Sequence, residues 1–297
     1  LPKTKKPDVF DNPSADLLIA NIPTTNPSHI LVLNKYPIIA DHFIIVTKAY
    51  KPQAHLLERD DLEATYACLK AWQDAGAESN QKRLFAFFNS GAHSGASQPR
   101  RHLQFLPVEN MRDDQKSNGW DLLMDLILES SKLTVKGMPQ TVNLAYNTAE
   151  ANAGAPSGLL QHPDVPFTHF ALPLPAEPTG YQLEAAYNEL YQNAQDAVEN
   201  YVASSSATFA LHSTADGSLP ISYNLALTTS GMAILPRRNE GGMLRRDDGT
   251  DVGFVALNGT TLGGTLMVKH QEEWDVLRKQ PGKLDSILEA IGIPKAR

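Results

Sequence analysis

The stretch HILVLNKYPIIADHFIIVTK (residues 29–48) holds two apolar, β-branched runs that flank NKYP and AD. This pattern predicts neighbouring strands joined by a turn. The thirty or so residues before it are rich in Pro, Asn, Asp and Thr and read as irregular. Helical spacing takes over from Asp60 to about Ala75. RLFAFFNSG then reads as a strand that breaks at Asn-Ser-Gly, and RRHLQFLPV as a strand ending at Pro107. SNGWDLLMDLILESSK is helix-like. NTAEANAGAPSGLLQHPDVP (147–166) is a loop of small residues and prolines. Beyond it, VPFTHFALPLP predicts a strand. In YQLEAAYNELYQNAQDAVENYVAS, Leu183, Tyr187, Leu190, Tyr191 and Ala194 recur at helical spacing. ATFALH, SYNLALTTSGMAILPRR and TLGGTLMVK read as strands, and QEEWDVLRKQ and KLDSILEAIGI as terminal helices.

Strand and helix do not alternate regularly, so a doubly wound parallel sheet is disfavoured. The class expected is α+β, with mainly antiparallel sheet and flanking helices. The 147–166 loop divides the chain into two halves, 1–160 and 161–297. A faint likeness between residues 29–48 and 222–238 hints at a duplicated unit.

Composition narrows the function classes. Of 297 residues, 42% are hydrophobic and 20% charged, which argues against large-scale disorder. Apolar runs such as Phe43-Ile44-Ile45-Val46 are far too short to span a bilayer. LPKTKKPDVFDNP has no apolar core of a secretory signal, and the opening Leu suggests that an upstream segment was trimmed. A net charge of −7 argues against non-specific nucleic-acid binding, although cations focused in a cleft can still hold a small polyanion. The single cysteine, Cys68, excludes an internal disulfide and a cysteine metal cage, and it reads as a core thiol on the first helix.

The chemistry concentrates in NSGAHSGASQPRRHLQFLPV (89–108). Side chains two apart share a strand face, so Arg100, His102 and Gln104 look one way and Arg101, Leu103 and Phe105 the other. A neutral imidazole is nucleophilic near physiological pH, and an adjacent carboxamide can donate to an oxygen that gathers charge. Asn89, Ser90, Gly91, Ser94, Gly95, Ser97 and Gln98 supply hydroxyls, amides and approachable backbone N–H groups, a composition suited to anions. Arg100 and Arg101 offer charge-assisted bonds to phosphate. From the residues alone a second reading stands beside this one: an ordinary Gly/Ser turn followed by a hydrogen-bonded core histidine. The segment is not a Walker loop, because no Gly-Lys-Ser/Thr follows its glycines.

The segment closely resembles the active-site pattern of the Ap4A phosphorylase (ATP adenylyltransferase) family, in the galactose-1-phosphate uridylyltransferase branch of the histidine-triad superfamily. That pattern is Asn-Ser-Gly, a spacer, Ser-Gly-x-Ser, then His-x-His-x-Gln. The blocks HILVLNKYPIIADHFIIVTK, PFTHF, SYNLALTTSGMAILPR and TLGGTLMVK also resemble family blocks in the expected order. The resemblance implies a histidine-triad-like fold and a nucleotidyltransferase that splits Ap4A with phosphate into ATP and ADP. His102 is then the nucleophile that attacks the α-phosphorus, and Gln104 a hydrogen-bond partner of the phosphoryl oxygens. Asn89, Ser90, Gly91, Ser94, Ser97, Gln98 and Arg100 fall in the polyphosphate-binding segment, with Lys35 from the first half and Asn224 and Lys269 from the second.

One position departs from the pattern. Arg100 stands where the family has its first histidine, which ligates zinc in uridylyltransferase relatives. A guanidinium has no lone pair for a metal, so no zinc is expected there. Arg100 instead suggests stronger phosphate binding, a lowered His102 pKa through like charge, or a drifted reaction. The alternatives to Ap4A phosphorolysis are therefore a same-fold enzyme with a diverged substrate and a non-catalytic adenine-nucleotide-binding protein.

Among other residues, His42 and His169 read first as structural, with a place near the site for His42 and a substrate-pocket role for His169 as the second readings; His93 carries no role, and His162, His212 and His270 lack ligand spacing. Arg237 is a further phosphate candidate, and RRNEGGMLRRDDG reads as a solvated loop or a flap. Tyr36, Ile38 and Phe43 are candidates for an adenine wall, while Phe85, Phe87 and Phe88 read as core. The expected partners are small nucleotides (diadenosine polyphosphate, ATP, ADP) and phosphate, with neither nucleic acid nor membrane. The expected location is cytoplasmic. The sequence calls for no cofactor, and Mg²⁺ enters as a companion of the nucleotide substrate.

Overall fold

Period-two alternation sorts the strand side chains onto two faces, and each face finds its own cover. The computed structural model describes residues 8–76, 82–112, 120–130, 158–204 and 209–295. Its strands are β1 (Leu18–Ile22), β2 (His29–Leu33), β3 (Phe43–Thr47), β4 (Leu84–Ser90), β5 (His102–Pro107), β6 (Phe170–Pro173), β7 (Ser222–Thr228), β8 (Gly231–Arg237), β9 (Gly241–Arg245) and β10 (Asp251–Ala256). The helices are α1 (Arg59–Ala75), α2 (Leu123–Glu129), α3 (Gly180–Ser204), α4 (Gln271–Lys279) and α5 (Lys283–Ile291).

Eight strands form one sheet in the order β1-β2-β3-β5-β4-β7-β8-β6, and every neighbouring pair is antiparallel. The fold is α+β, as expected. First-half and second-half strands meet at a seam where Ala86–Ser90 of β4 pair with Leu227–Tyr223 of β7. Most of the 147–166 loop that suggested the boundary lies outside the described residues.

On one face Leu84, Ala86 and Phe88 of β4, Leu103 and Phe105 of β5, and Tyr223, Leu225 and Leu227 of β7 pack under α1 and α3. On the other, Phe85 and Phe87 join Ala226, Leu235, Met124, Ile127, Ile287 and Leu257. Phe10 covers Ile30, Val32, Ile44 and Val46 near the β2–β3 edge. The three phenylalanines of β4 are thus core, divided between two layers. Arg101 points to the helix side, where Asp61 of α1 takes its Nη1 at 2.7 Å and His29 Nε2 at 2.9 Å. Burial pushes the Asp61 carboxyl up, but the His29 hydrogen bond and the Arg101 charge more than offset this and hold it below the usual range.

Four expectations need correction. The opening segment read as irregular contains β1, a short edge strand with a bulge between Leu18 and Ala20 and mostly exposed side chains. It therefore shows no alternation to detect. TLGGTLMVK is not a strand: Gly259–Gly263 wind into a 3₁₀ turn, whose Thr260 N–H is capped at 3.0 Å by Asn258 Oδ1. Local capping outweighs the β preference of its threonines. In ATFALH the described residues from Phe209 to His212 form no strand. The charged loop after Arg237 is β9, paired with β10 through a turn at Gly249 and packed beside α5.

Candidate active site

One long-range strap and one local hydrogen bond position His102. The Gln53 side chain accepts from His102 N–H at 2.8 Å through Oε1, and its Nε2 donates to the carbonyls of Asn89 (2.8 Å) and His102 (3.1 Å). This one side chain ties the end of β4 to the start of β5. The imidazole Nδ1 lies 2.8 Å from the Arg100 carbonyl. A carbonyl only accepts, so Nδ1 carries the proton and Nε2 keeps the lone pair. The ring borders a cavity of about 600 Å³ together with Gln104, Ser97, Gln98, Lys35 and Tyr36. Burial lowers the His102 pKa, opposed by the Arg100 carbonyl and by the Asp8 charge. The imidazole is therefore held neutral, the form a nucleophile needs.

Gln104 sits on the same face of β5, opposite Ile44 of β3 and Phe87 of β4. Its Oε1 is 3.1 Å from His42 Nε2, and His42 Nδ1 is 2.9 Å from Asn34 Nδ2. His42, for which the sequence offered a structural role first and a place near the site second, is thus a direct neighbour of a candidate site residue. Strand parity carried the signal, since His42 falls in phase with Ile44 and Val46. Gln53 and Phe10 had no such signal, because their partners are remote in sequence.

Arg100 does not enter the cavity. Its Nε lies 2.8 Å from Asp8 and its Nη2 3.1 Å from Asp11, and Nη1 donates to the Phe10 carbonyl at 3.3 Å. These contacts seat the Phe10 ring with its centroid 5.3 Å from that of His102. The phosphate role expected for Arg100 is corrected accordingly: two carboxylates already neutralise the guanidinium, and its work is to hold the cavity wall. The like-charge effect on His102 also fails, since burial supplies the downward shift and nearby Asp8 opposes it.

The Ser/Gly segment divides into parts. Ser97 and Gln98 reach the His102 cavity. Gly95 borders a second cavity of about 480 Å³, which Lys269, Asn258 and Thr260 also line. The segment thus runs between two cavities, with Lys35 on one and Lys269 on the other. Ser94 is buried, donates to the Gly91 carbonyl at 2.7 Å and shapes the turn. Ser90 is also fully buried and stands opposite Tyr223, in phase with Phe88 on the helix face. The expectation that it meets phosphate is corrected on that ground.

Asn224 and Arg237 are likewise internal struts. Asn224 Nδ2 donates to Asn89 Oδ1 (2.8 Å) and to the Ser94 carbonyl (2.9 Å). Asn89 Oδ1 also receives Gly259 N–H at 2.8 Å, while its own Nδ2 has no protein partner among the described residues. Arg237 is fully buried, bonded to Asn224 Oδ1 and to the Asn239, Glu240 and Leu257 carbonyls. Burial pulls its pKa down to about 9, against the opposing charge of Glu240. Neither Asn224 nor Arg237 is placed to touch a ligand directly.

Gly91 holds φ at +87°, and an added Cβ would lie 2.9 Å from Ser222 Cα and closer still to Ser222 Oγ. Gly91→Ala should therefore lower stability by about 1–3 kcal/mol, through left-handed strain together with the clash. A thermal or urea melt beside the wild type checks this.

Of the other sequence candidates, Tyr36 lines the His102 cavity and Ile38 the second one, while Phe43 lies in the core beneath α1. His169 is buried, with Nδ1 donating to the Phe167 carbonyl at 2.8 Å, and burial drives its pKa down to about 4. Burial pushes the Cys68 thiol up to about 12, which leaves it a poor nucleophile. Among the described residues no group of three His, Cys, Asp or Glu side chains is placed to hold a metal.

Comparison with known proteins accounts for both halves. Residues 2–123 match the Ap4A phosphorylase N-terminal domain, and residues 163–294 the ATP adenylyltransferase C-terminal domain. The diadenosine 5',5'''-P1,P4-tetraphosphate phosphorylase 2 of Saccharomyces cerevisiae is 26% identical, across 98% of this chain and 78% of its own length. Protein APA1 of the same yeast is 27% identical, across 91% of this chain and 70% of its own. The crystal structure of yeast Ap4A phosphorylase Apa2 superposes with a TM-score of 0.71 at 23% identity, covering 98% of this chain and 83% of that one. Its complex with Ap4A gives 0.70 at 24% identity, covering 98% and 82%.

Proposed function

The chain belongs to the Ap4A phosphorylase (ATP adenylyltransferase) family, and from that premise we propose that it cleaves diadenosine tetraphosphate with phosphate, giving ATP and ADP. The observation that carries the reading is the setting of His102: Nδ1 tied to a carbonyl, the lone pair on Nε2, and the ring at a cavity shared with Gln104.

The chemistry is a double displacement. Nε2 attacks the α-phosphorus, an N–P bond forms, and the P–O bond to the departing ATP breaks. The nucleotidyl-histidine then meets phosphate, whose oxygen displaces the imidazole and yields ADP with His102 regenerated. Gln104 donates to the phosphoryl oxygens as charge builds on them. Lys35, Ser97 and Gln98 serve the polyphosphate on one side of the Ser/Gly segment, and Gly95 with Lys269 on the other. Asn89 adds the amide that lacks a protein partner. Mg²⁺ belongs to the nucleotide as part of the substrate, and no resident cofactor has a step to perform.

A cytoplasmic location, with free nucleotides as partners, goes with this reading. Among the described residues no helix is long and apolar enough to cross a membrane. A diverged reaction was suggested by Arg100, and the pairing of that guanidinium with Asp8 and Asp11 removes the reason for it.

The test is to mix the enzyme with adenine-labelled Ap4A in the absence of phosphate and quench in base, where a phosphoramidate survives. Label should stay on the protein, map to the peptide containing His102, and chase into ADP when phosphate is added. Direct formation of ADP without a labelled protein would remove the covalent mechanism.

A further inference from the structure

A single backbone N–H fixes the direction of a chain of hydrogen bonds that ends at Gln104. Tyr36 N–H lies 3.0 Å from the Asn34 side-chain oxygen. A backbone amide only donates, so the Asn34 atom that faces it must be Oδ1, and Nδ2 faces His42. An amide nitrogen only donates, so His42 Nδ1 must accept. The proton of the neutral ring is then on Nε2, which donates to Gln104 at 3.1 Å. The Gln104 atom that receives it is the carbonyl Oε1. What Gln104 has left for the cavity it lines is its NH₂.

We infer that Asn34 and His42 are positioning residues that hold Gln104 with its amide donor, rather than its carbonyl, toward the phosphoryl oxygens. The inference rests on the proposed reading that Gln104 meets those oxygens. It matters because a free carboxamide can present either end. An NH₂ stabilises growing negative charge, and a carbonyl in the same place opposes it. The three links sit on two rigid supports, the reversal between β2 and β3 and the interior strand β5. The reversal is closed by Asn34 N–H donating to the His42 carbonyl at 2.9 Å.

The relay requires a neutral His42, because a protonated ring would turn Nδ1 into a donor facing the donor of Asn34. The groups that face the ring are Asn34, Gln104 and, at 6.5 Å between centroids, Phe87; none is charged. Its chain neighbour is Asp41, and Lys35 and His102 line the adjoining cavity. Burial lowers the His42 pKa to about 4, against the Gln104 bond that raises it, so the relay stays intact down to mildly acidic pH.

The experiment uses the full chain labelled with ¹⁵N at histidine, and reads the His42 tautomer from its ring-nitrogen shifts. The wild type should show Nε2–H. Asn34→Asp replaces the donor with a carboxylate that can only accept. At pH 8 it should draw the proton to Nδ1, free Nε2 to accept from the Gln104 amide, and turn the carbonyl toward the substrate. The kcat should then fall about 100-fold with little change in KM. Adding Gln104→Met, which removes the amide without adding charge, to Asn34→Asp should cost little more, since both remove the same donor. Asn34→Ala, which adds no charge, should give mixed tautomers and a smaller loss.

A wild-type ring protonated at Nδ1 would overturn the inference, and so would an Asn34→Asp enzyme with a flipped tautomer and undiminished kcat. If the wild type failed to split Ap4A at all, the proposed reaction would fall while the tautomer result stood by itself.

Discussion

His102→Ala should lower kcat for Ap4A phosphorolysis on the order of 10⁴-fold or more, with an unfolding midpoint close to that of the wild type. The two halves of this result have separate physical origins. Position 102 is held by its backbone, through Gln53 to both its N–H and its carbonyl, and those bonds do not involve the imidazole. The ring contributes one hydrogen bond, to a carbonyl two residues away, and a tilted contact with Phe10. Removing it deletes the attacking lone pair and leaves the frame in place. The measurement is the initial rate of ATP and ADP formation beside a melt, and His102→Asn repeats it with a polar side chain of similar reach. A variant within tenfold of wild type would mean that attack proceeds from another group. Because burial lowers the His102 pKa, the wild-type rate should also hold as pH falls through the ordinary imidazole value near 6.5, and drop only in more acidic solution.

Arg237→Leu should cost about 3–5 kcal/mol of folding stability, since the substitution leaves several buried acceptors unanswered. The guanidinium is enclosed and serves the Asn239, Glu240 and Leu257 carbonyls as well as Asn224 Oδ1. Leucine fills part of the volume and none of the bonding. The effect should also reach function through a defined path. Asn224 loses the partner of its oxygen, its Nδ2 becomes free to rotate away from Asn89 and Ser94, and the Ser/Gly turn loses its anchor on the second half. KM for Ap4A should therefore rise by more than kcat falls in whatever fraction remains folded. Urea titration gives the first number and steady-state kinetics the second. A stability loss under about 1 kcal/mol would mean that water replaces the guanidinium, contrary to the burial seen here.

Much of this architecture could be read in the chain, and the failures have a common cause. Strongly apolar runs such as FAFF and IIV announced β4 and β3, because both of their faces are buried. β1 and β9 escaped detection for the opposite reason: each is short and partly exposed, so alternation is weak or masked by charges. The shared face of His102 and Gln104 followed from strand parity, and the paired cavities on either side of the Ser/Gly segment did not. A cation near a phosphate motif need not point at phosphate, and Arg100 and Arg237 do not. Asp8 and Asp11, some ninety residues earlier, already claim the first, and backbone carbonyls from the β8–β10 region claim the second. Local sequence holds no record of such distant claims.

The seam between β4 and β7 has a consequence for any attempt to produce the two halves apart. Separated from each other, the halves would each display a seven-residue, water-averse strand with its amides and carbonyls bare, the template on which polypeptides self-associate into fibrils.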